Sequence, residues 1–287
     1  MNKEIIEHYL RRLEPLPTAM TPKGEPTQKI KCVLFDIYGT LFISGSGDIG
    51  LAKQNSSELK KIKHLLSKFA FRITPQTLLN EFYGAIEDRH NELRSQGVDF
   101  PEVNIDQIWM QVLQTNDSRA ARQFAIEFEL IVNPVFPMPN LETLLTTCRR
   151  QGLLMGVISN AQFYTPLLFS WFLNSTPEEL GFNQDLLFYS YRFQVAKPSQ
   201  VLFTIAASKL KTKGIPPSSV IYTGNDMLND IYLAKRAGFQ TALFAGDKRS
   251  LRLRADDPRC KNLEPDLVIT DLTQLIHKIQ PSITSNP

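Results

Sequence analysis

Cysteine is scarce in this chain: Cys32, Cys148 and Cys260 are an odd number at wide spacing. That supports neither a disulfide framework nor a metal-ligand cluster, and it suits a reducing compartment. Histidine is equally sparse. His8, His64, His90 and His277 are scattered and none adjoins a motif, which argues against a histidine-centred site. No apolar run reaches the length of about 18 residues that reads as a membrane-spanning helix. Met1 to Arg12 is charged where a signal peptide would be apolar. A cytoplasmic protein without membrane contact is expected. Net charge is only +3, with no block of like charge to make a nucleic-acid arm. The stretch Ser44-Gly45-Ser46-Gly47 lacks the Lys-Ser/Thr ending of a phosphate-binding P-loop and reads as a mobile hinge. Internal repeats and low-complexity segments are absent as well.

What is present is an ordinary globular composition, 43% hydrophobic and 21% charged over 287 residues. That length accommodates one large α/β domain and a smaller one. Ile5, Ile6, Tyr9, Leu10 and Leu13 form an amphipathic stripe, which Pro15, Pro17, Pro22 and Pro26 then break. Residues 1–28 are therefore expected to be a helical extension and linker that packs on the main domain or pairs with another subunit. The run from Lys31 to Phe35 reads as a buried parallel strand ending in Asp36, with a Gly39-Thr40 turn after it. Residues 49–133 are expected to be almost wholly helical, with Leu59, Ile62, Leu65 and Leu66, then Leu78, Leu79, Phe82 and Ile86, at helical spacing. Thr74 and Asp106 are expected near helix starts. Arg89, Arg94 and Trp109 in this segment are candidates to face a substrate.

The proline-rich stretch Asn133 to Pro139 marks the return from these helices. Apolar strands then alternate with helices. Leu153 to Ile158 ends in Ser159-Asn160, a short strand is expected over 185–191, and Val220 to Tyr222 leads into Thr223-Gly224-Asn225-Asp226. A helix over 230–236 and strands at 241–244 and 267–269 follow. This alternation predicts a parallel sheet with right-handed crossovers. The expected fold is α/β: a three-layer Rossmann-like core from residues 29–48 and 134–287, with the helices of 49–133 inserted. In such sheets ligands bind beyond the carboxyl ends of the strands, where Asp36, Ser159 and Asp226 stand.

Asp36-Ile37-Tyr38-Gly39-Thr40, Ser159-Asn160, Lys197-Pro198 and Asp226 with Asp230, in that order, resemble the motifs of the haloacid dehalogenase-like hydrolase superfamily. The resemblance covers about 29–44 and 134–275. It implies that 49–133 is a helical cap closing over the site, that Asp36 is the nucleophile, and that Lys197 balances charge beside it. It also implies that Thr40, Ser159 and Asn160 bind the substrate. Mg²⁺ is the expected cofactor, held by Asp36, Asp226, Asp230 and the backbone carbonyl of Tyr38. An alternative register puts Asn225 at the first carboxylate of that last motif, whereas Asp230 serves both registers.

Most of that superfamily are phosphatases whose second Asp protonates the leaving oxygen; here that position is Tyr38. A phenol with an ordinary pKa near 10 serves poorly as both acid and base near neutral pH. A large preference for good leaving groups is therefore expected. The D-x-Y-G-T-L form resembles instead the 2-haloacid dehalogenases, which attack carbon and use no metal. Against this, Asp226 beside Asp36 and Asp230 would be costly without a cation. The leading expectation is a Mg²⁺-dependent phosphatase acting on a small phosphate ester through an aspartyl-phosphate, with a homodimer possible. The alternatives are a metal-independent dehalogenase and a phosphate-binding protein with little turnover.

Overall fold

A computed structural model describes residues 8–45 and 56–279. Ile5 and Ile6 of the N-terminal stripe and Ser46-Gly47 of the hinge lie outside the described residues. The strands are β1 (Lys23–Gly24), β2 (Cys32–Phe35), β3 (Phe42–Ser44), β4 (Val135–Pro137), β5 (Leu154–Ser159), β6 (Phe182–Tyr189), β7 (Val220–Gly224), β8 (Gln240–Phe244) and β9 (Leu267–Ile269). Seven form one sheet in the order β1-β9-β8-β7-β2-β5-β6. All neighbours run parallel except β1, which lies antiparallel on β9.

β2 sits inside this sheet because its four side chains are apolar on both faces, which only a strand covered on both sides can afford. Val33 and Phe35 point into one hydrophobic cluster, Cys32 and Leu34 into another. β5 and β7 flank β2 in register, with Phe35 opposite Val157 and Thr223. The C-terminal ends of three strands therefore lie side by side, and Asp36 follows at once, its N–H donating to the Thr223 carbonyl at 2.9 Å.

The helices up to β4 are α1 (Ser56–Lys68), α2 (Pro75–Ser95), α3 (Ile105–Val112) and α4 (Ser118–Val132). Thr74 caps α2, its hydroxyl accepting from Thr77 N at 3.1 Å with Pro75 in the first turn. Asp106 lies in the first turn of α3. The centre of this group is aromatic: Trp109 stacks on Phe82 at 4.2 Å, with Phe124 and Phe128 against it. Trp109 is thus a packing residue. Arg89 and Arg94 pair with Glu92 and Glu87 on the exposed side of α2. None of the three reaches the site described below.

The chain leaves for these helices along β3 and returns along β4, and the two strands pair antiparallel, Phe42 opposite Pro137. The proline-rich return is thus a strand rather than a free connector. The remaining helices are α5 (Leu141–Arg150), α6 (Leu167–Leu173), α7 (Ser190–Phe193), α8 (Val201–Thr212), α9 (Leu233–Arg236) and α10 (Leu272–Ile279). α5 and α10 cover the Val33–Phe35 face of the sheet; α8 and α9 cover the other, completing three layers.

Two expected boundaries move. The strand expected at 185–191 starts at Phe182 and stops at Tyr189, where α7 begins. The helix expected from Asp230 begins earlier, as a wide π-type turn over Met227–Tyr232 capped by Asp226. Upstream, Tyr9, Leu10 and Leu13 pack on the core, and the proline segment is tied to the loop after β8. Leu16 N donates to Asp247 Oδ1 at 3.1 Å and Thr18 Oγ1 to the Ala245 carbonyl at 2.6 Å. Among the described residues no helix is long and apolar enough to cross a membrane.

Candidate active site

Beyond the ends of β2, β5 and β7 lies a cavity of about 450 Å³. Asp36, Tyr38, Ser159, Asn160, Lys197, Asp226 and Asp230 all line it. Four stretches far apart in sequence therefore converge on one space.

Lys197 is the hub. Its ammonium donates to Asp36 Oδ1 at 2.8 Å and to Asp230 Oδ1 at 2.6 Å, and lies 3.2 Å from the Tyr222 hydroxyl. All three acidic and basic side chains are buried. Burial alone would lower the Lys197 pKa, but Asp230 and Asp36 overturn that and raise it, so the proton is held firmly. Burial pushes Asp230 upward against the pull of Lys197. The Lys197 backbone is fixed by Asn160, whose amide donates to the Lys197 carbonyl at 3.0 Å and accepts from its N–H at 2.7 Å.

Asp230 has no oxygen to spare. Besides Lys197, its Oδ1 lies 3.0 Å from the Tyr222 hydroxyl, and its Oδ2 accepts the Asp226 N–H at 2.9 Å. Asp226 caps the π-type turn, accepting from Leu228 N at 2.8 Å and Asn229 N at 3.1 Å. Both its oxygens also receive Arg254, with Nη2 to Oδ2 at 2.6 Å and Nε to Oδ1 at 3.2 Å. Arg254 reaches there from a left-handed backbone, φ +52°, a conformation a non-glycine residue adopts at a cost of about 1 kcal/mol or more.

Among the described residues no three acidic, histidine or cysteine side chains are grouped as a ready metal site. Lys197 bridges Asp36 and Asp230, and Arg254 holds Asp226. Thr40 does not line the cavity; it is fully buried, its hydroxyl directed to Asn225 Oδ1 at 3.3 Å. Asn225 in turn donates to the Ser250 carbonyl at 2.6 Å, so Asn225 organises the loop. The Asn160 amide is committed to the Lys197 backbone. Tyr38 lines the cavity with its hydroxyl 3.0 Å from Thr165 Oγ1. Burial, then the charges of Glu129 and Asp36, push that phenol well above its ordinary value.

Sequence reasoning missed Ser250, Arg252, Arg254, Glu102 and Glu129, all of which line the cavity. For the first three a signal existed. Ser250, Arg252 and Arg254 alternate with Leu251 and Leu253, a period of two. Between a turn at Ser250 and the left-handed Arg254, the chain passes beside the end of β7 and pairs there at one point, Arg252 N donating to Asn225 O at 3.0 Å and Met227 N to Arg252 O at 2.9 Å. Glu102 and Glu129 sit in the helical segment with no local pattern to mark them.

Residues 194–275 match the family model described as HAD-hydrolase-like. No curated protein matches the sequence. Among solved structures, the chain is similar to a 2-haloacid dehalogenase from Pseudomonas syringae pv. Tomato DC3000, at 19% identity over 87% of this chain and 98% of that one, TM-score 0.54. It is also similar to a HAD phosphatase from Thermococcus onnurineus, at 18% identity over 86% and 97%, TM-score 0.50. A predicted phosphoglycolate phosphatase from Haemophilus somnus 129PT matches at 16% identity over 88% and 100%, TM-score 0.50. At these identities the likeness is one of fold. Residues 194–275 thus match a HAD-hydrolase-like family model, and the whole chain is similar in fold to structures that include both dehalogenases and phosphatases.

Proposed function

We propose that the chain is a phosphatase-like hydrolase acting on a small phosphorylated metabolite, with Asp36 as nucleophile and an aspartyl-phosphate intermediate. The observation that carries this reading is the set of residues round the cavity: apart from Tyr38, Ala161 and Tyr164, they bear carboxylates, amides, hydroxyls and cations. Such groups suit a hydrophilic ester whose oxygens and hydroxyls need partners.

In this reading Asp36 Oδ2, free of Lys197, attacks phosphorus. Lys197 keeps its proton and offsets the charge of the nucleophile and of the phosphoryl oxygens. Ser159 offers a hydroxyl from the end of β5. Asp230 and Asn160 position Lys197 rather than touch the substrate. A hard divalent cation, Mg²⁺, would be held by oxygen donors of residues that line the cavity, Asp36, Asp226 and the Tyr38 carbonyl, and would neutralise phosphoryl charge. Such an ion would have to displace Arg254 from Asp226.

A metal-independent 2-haloacid dehalogenase is the second reading. Tyr38 favours it, and so does Arg254, which compensates Asp226 without any metal. One comparison separates the two. Aryl phosphate hydrolysis is measured with Mg²⁺, with EDTA and with Asp36→Asn, beside chloride release from 2-chloropropionate. Mg²⁺-dependent phosphate release that Asp36→Asn abolishes is the expected result. Chloride release unaffected by EDTA, without phosphate turnover, would establish the dehalogenase instead.

A further inference from the structure

Tyr38 leaves the proposed reaction without a proton donor two residues beyond the nucleophile. Its hydroxyl is engaged with Thr165, and its surroundings hold the proton too tightly to give up. Asp226 carries the Arg254 guanidinium and Asp230 the Lys197 ammonium, so neither is a free acid. Two further carboxyls line the same cavity: Glu129, in the last turn of α4, and Glu102, ahead of α3. Among the described residues neither has a salt bridge to Lys or Arg.

The two differ in their partners. Glu102 accepts three hydrogen bonds, from Val103 N at 3.0 Å, Gln162 Nε2 at 3.1 Å and Ser190 Oγ at 2.7 Å. Three donors favour its anion. Glu129 accepts two, from Asn133 Nδ2 at 3.0 Å and the Tyr164 hydroxyl at 3.0 Å. Tyr164, which donates to Glu129, is the chain neighbour of Thr165, the residue that holds the Tyr38 hydroxyl. Glu129 and Tyr38 thus line one cavity and are joined through adjacent residues.

The geometry points to Glu129 as the proton donor to the leaving oxygen, contributed by the helical segment in place of the carboxylate that Tyr38 replaces. This rests on the phosphatase reading above. As the Asp36 oxygen bonds to phosphorus, the bond from phosphorus to the leaving oxygen breaks, and that oxygen takes its electron pair and the Glu129 proton. The alcohol departs and Glu129 is left as a carboxylate. Glu129 then takes a proton from the water whose oxygen attacks the aspartyl-phosphate. The phosphorus–Asp36 bond breaks, releasing phosphate and restoring both carboxyls. Burial pushes Glu129 upward despite the opposing pull of Asn133 and Tyr164, which suits a group that must arrive protonated.

Pre-steady-state release of the leaving group tests this directly. With 4-nitrophenyl phosphate the leaving phenolate needs no proton; with glycerol 2-phosphate the alkoxide does. Glu129→Gln is expected to slow glycerol release by about 10²-fold or more. The nitrophenolate burst should persist while the phospho-enzyme accumulates, because the second step lacks its base. Glu129→Asp should recover part of the glycerol rate, and Glu102→Gln should leave the ratio between the two substrates as in the parent. An equal loss with both substrates, or none with either, overturns the assignment. Melting temperatures of each variant identify a folding defect, and the shorter Glu129→Asp variant then carries the test. If the parent enzyme releases no nitrophenolate at all, the phosphatase reading itself fails and the assignment falls with it.

Discussion

Lys197 holds two buried carboxylates, and its removal should show how far charge compensation supports the fold. An unpaired buried charge costs about 3–5 kcal/mol, whereas removing both members of a pair costs far less. Lys197→Met should therefore lower stability by roughly that amount in urea, and abolish turnover. Adding Asp230→Asn removes one of the two stranded charges and should recover part of the stability, with no return of activity. If the double variant is as unstable as the single one, Lys197 acts through packing and not through charge. This lysine was legible only through its resemblance to a family motif, since a lone Lys before a proline reads by itself as a surface residue. Its second partner was not, because Asp230 was read as a ligand, and nothing in a sequence shows which way a carboxylate turns. Thr40 and Asn160 were found for the same reason, standing beside strand ends. They turn inward, onto Asn225 and onto the Lys197 backbone.

At the scale of elements, the junction of β7 with the π-type turn is the most demanding piece of backbone. Asp230 folds back against Gly224, so a methyl group on Gly224 would overlap its carboxyl. Gly224→Ala should displace Asp230, release one arm of Lys197 and cost about 1–3 kcal/mol in overpacking. Activity should fall as it does for Asp230→Asn. Gly84, inside α2, makes the contrast, since an added Cβ there meets nothing within 4 Å. Gly84→Ala should stabilise by about 0.5–1 kcal/mol through helix propensity. Near-normal activity in Gly224→Ala would show that Asp230 can relax without consequence for Lys197. The strands themselves were plain in the sequence, since four-residue apolar runs such as Cys32–Phe35 leave few choices of environment. The turn was not, because a capping Asp followed by an acidic residue four positions on reads equally well as an ordinary helix start. The segment carrying Arg252 and Arg254 escaped because it is set beside β7 only by the pairing of Arg252 with residues 225–227, far off in sequence.

For the molecule as a whole, the two cavity carboxyls of the helical segment give stability a definite dependence on pH. Burial raises Glu102 and Glu129 in the folded state above their value in the unfolded chain, so the folded state holds the protons longer. Their contribution is fully favourable below the ordinary glutamate range and is lost as pH rises through the folded values. Asp185 and Asp257 are shifted the other way, by Lys213 and Arg259, and would favour the fold as pH rises. Both lie at the surface, where solvent screens the pairing, so they weigh less than the buried carboxyls, to which Asp230 adds in the same sense. Denaturation of the parent and of the Glu102→Gln, Glu129→Gln double variant, compared from pH 4 to pH 8, measures this. The variant should gain on the parent steadily as pH rises, because it has no charge to bury. A difference that stays constant across that range would mean that both carboxyls ionise in the folded protein as readily as in water, and that the cavity is already open to solvent at its far end.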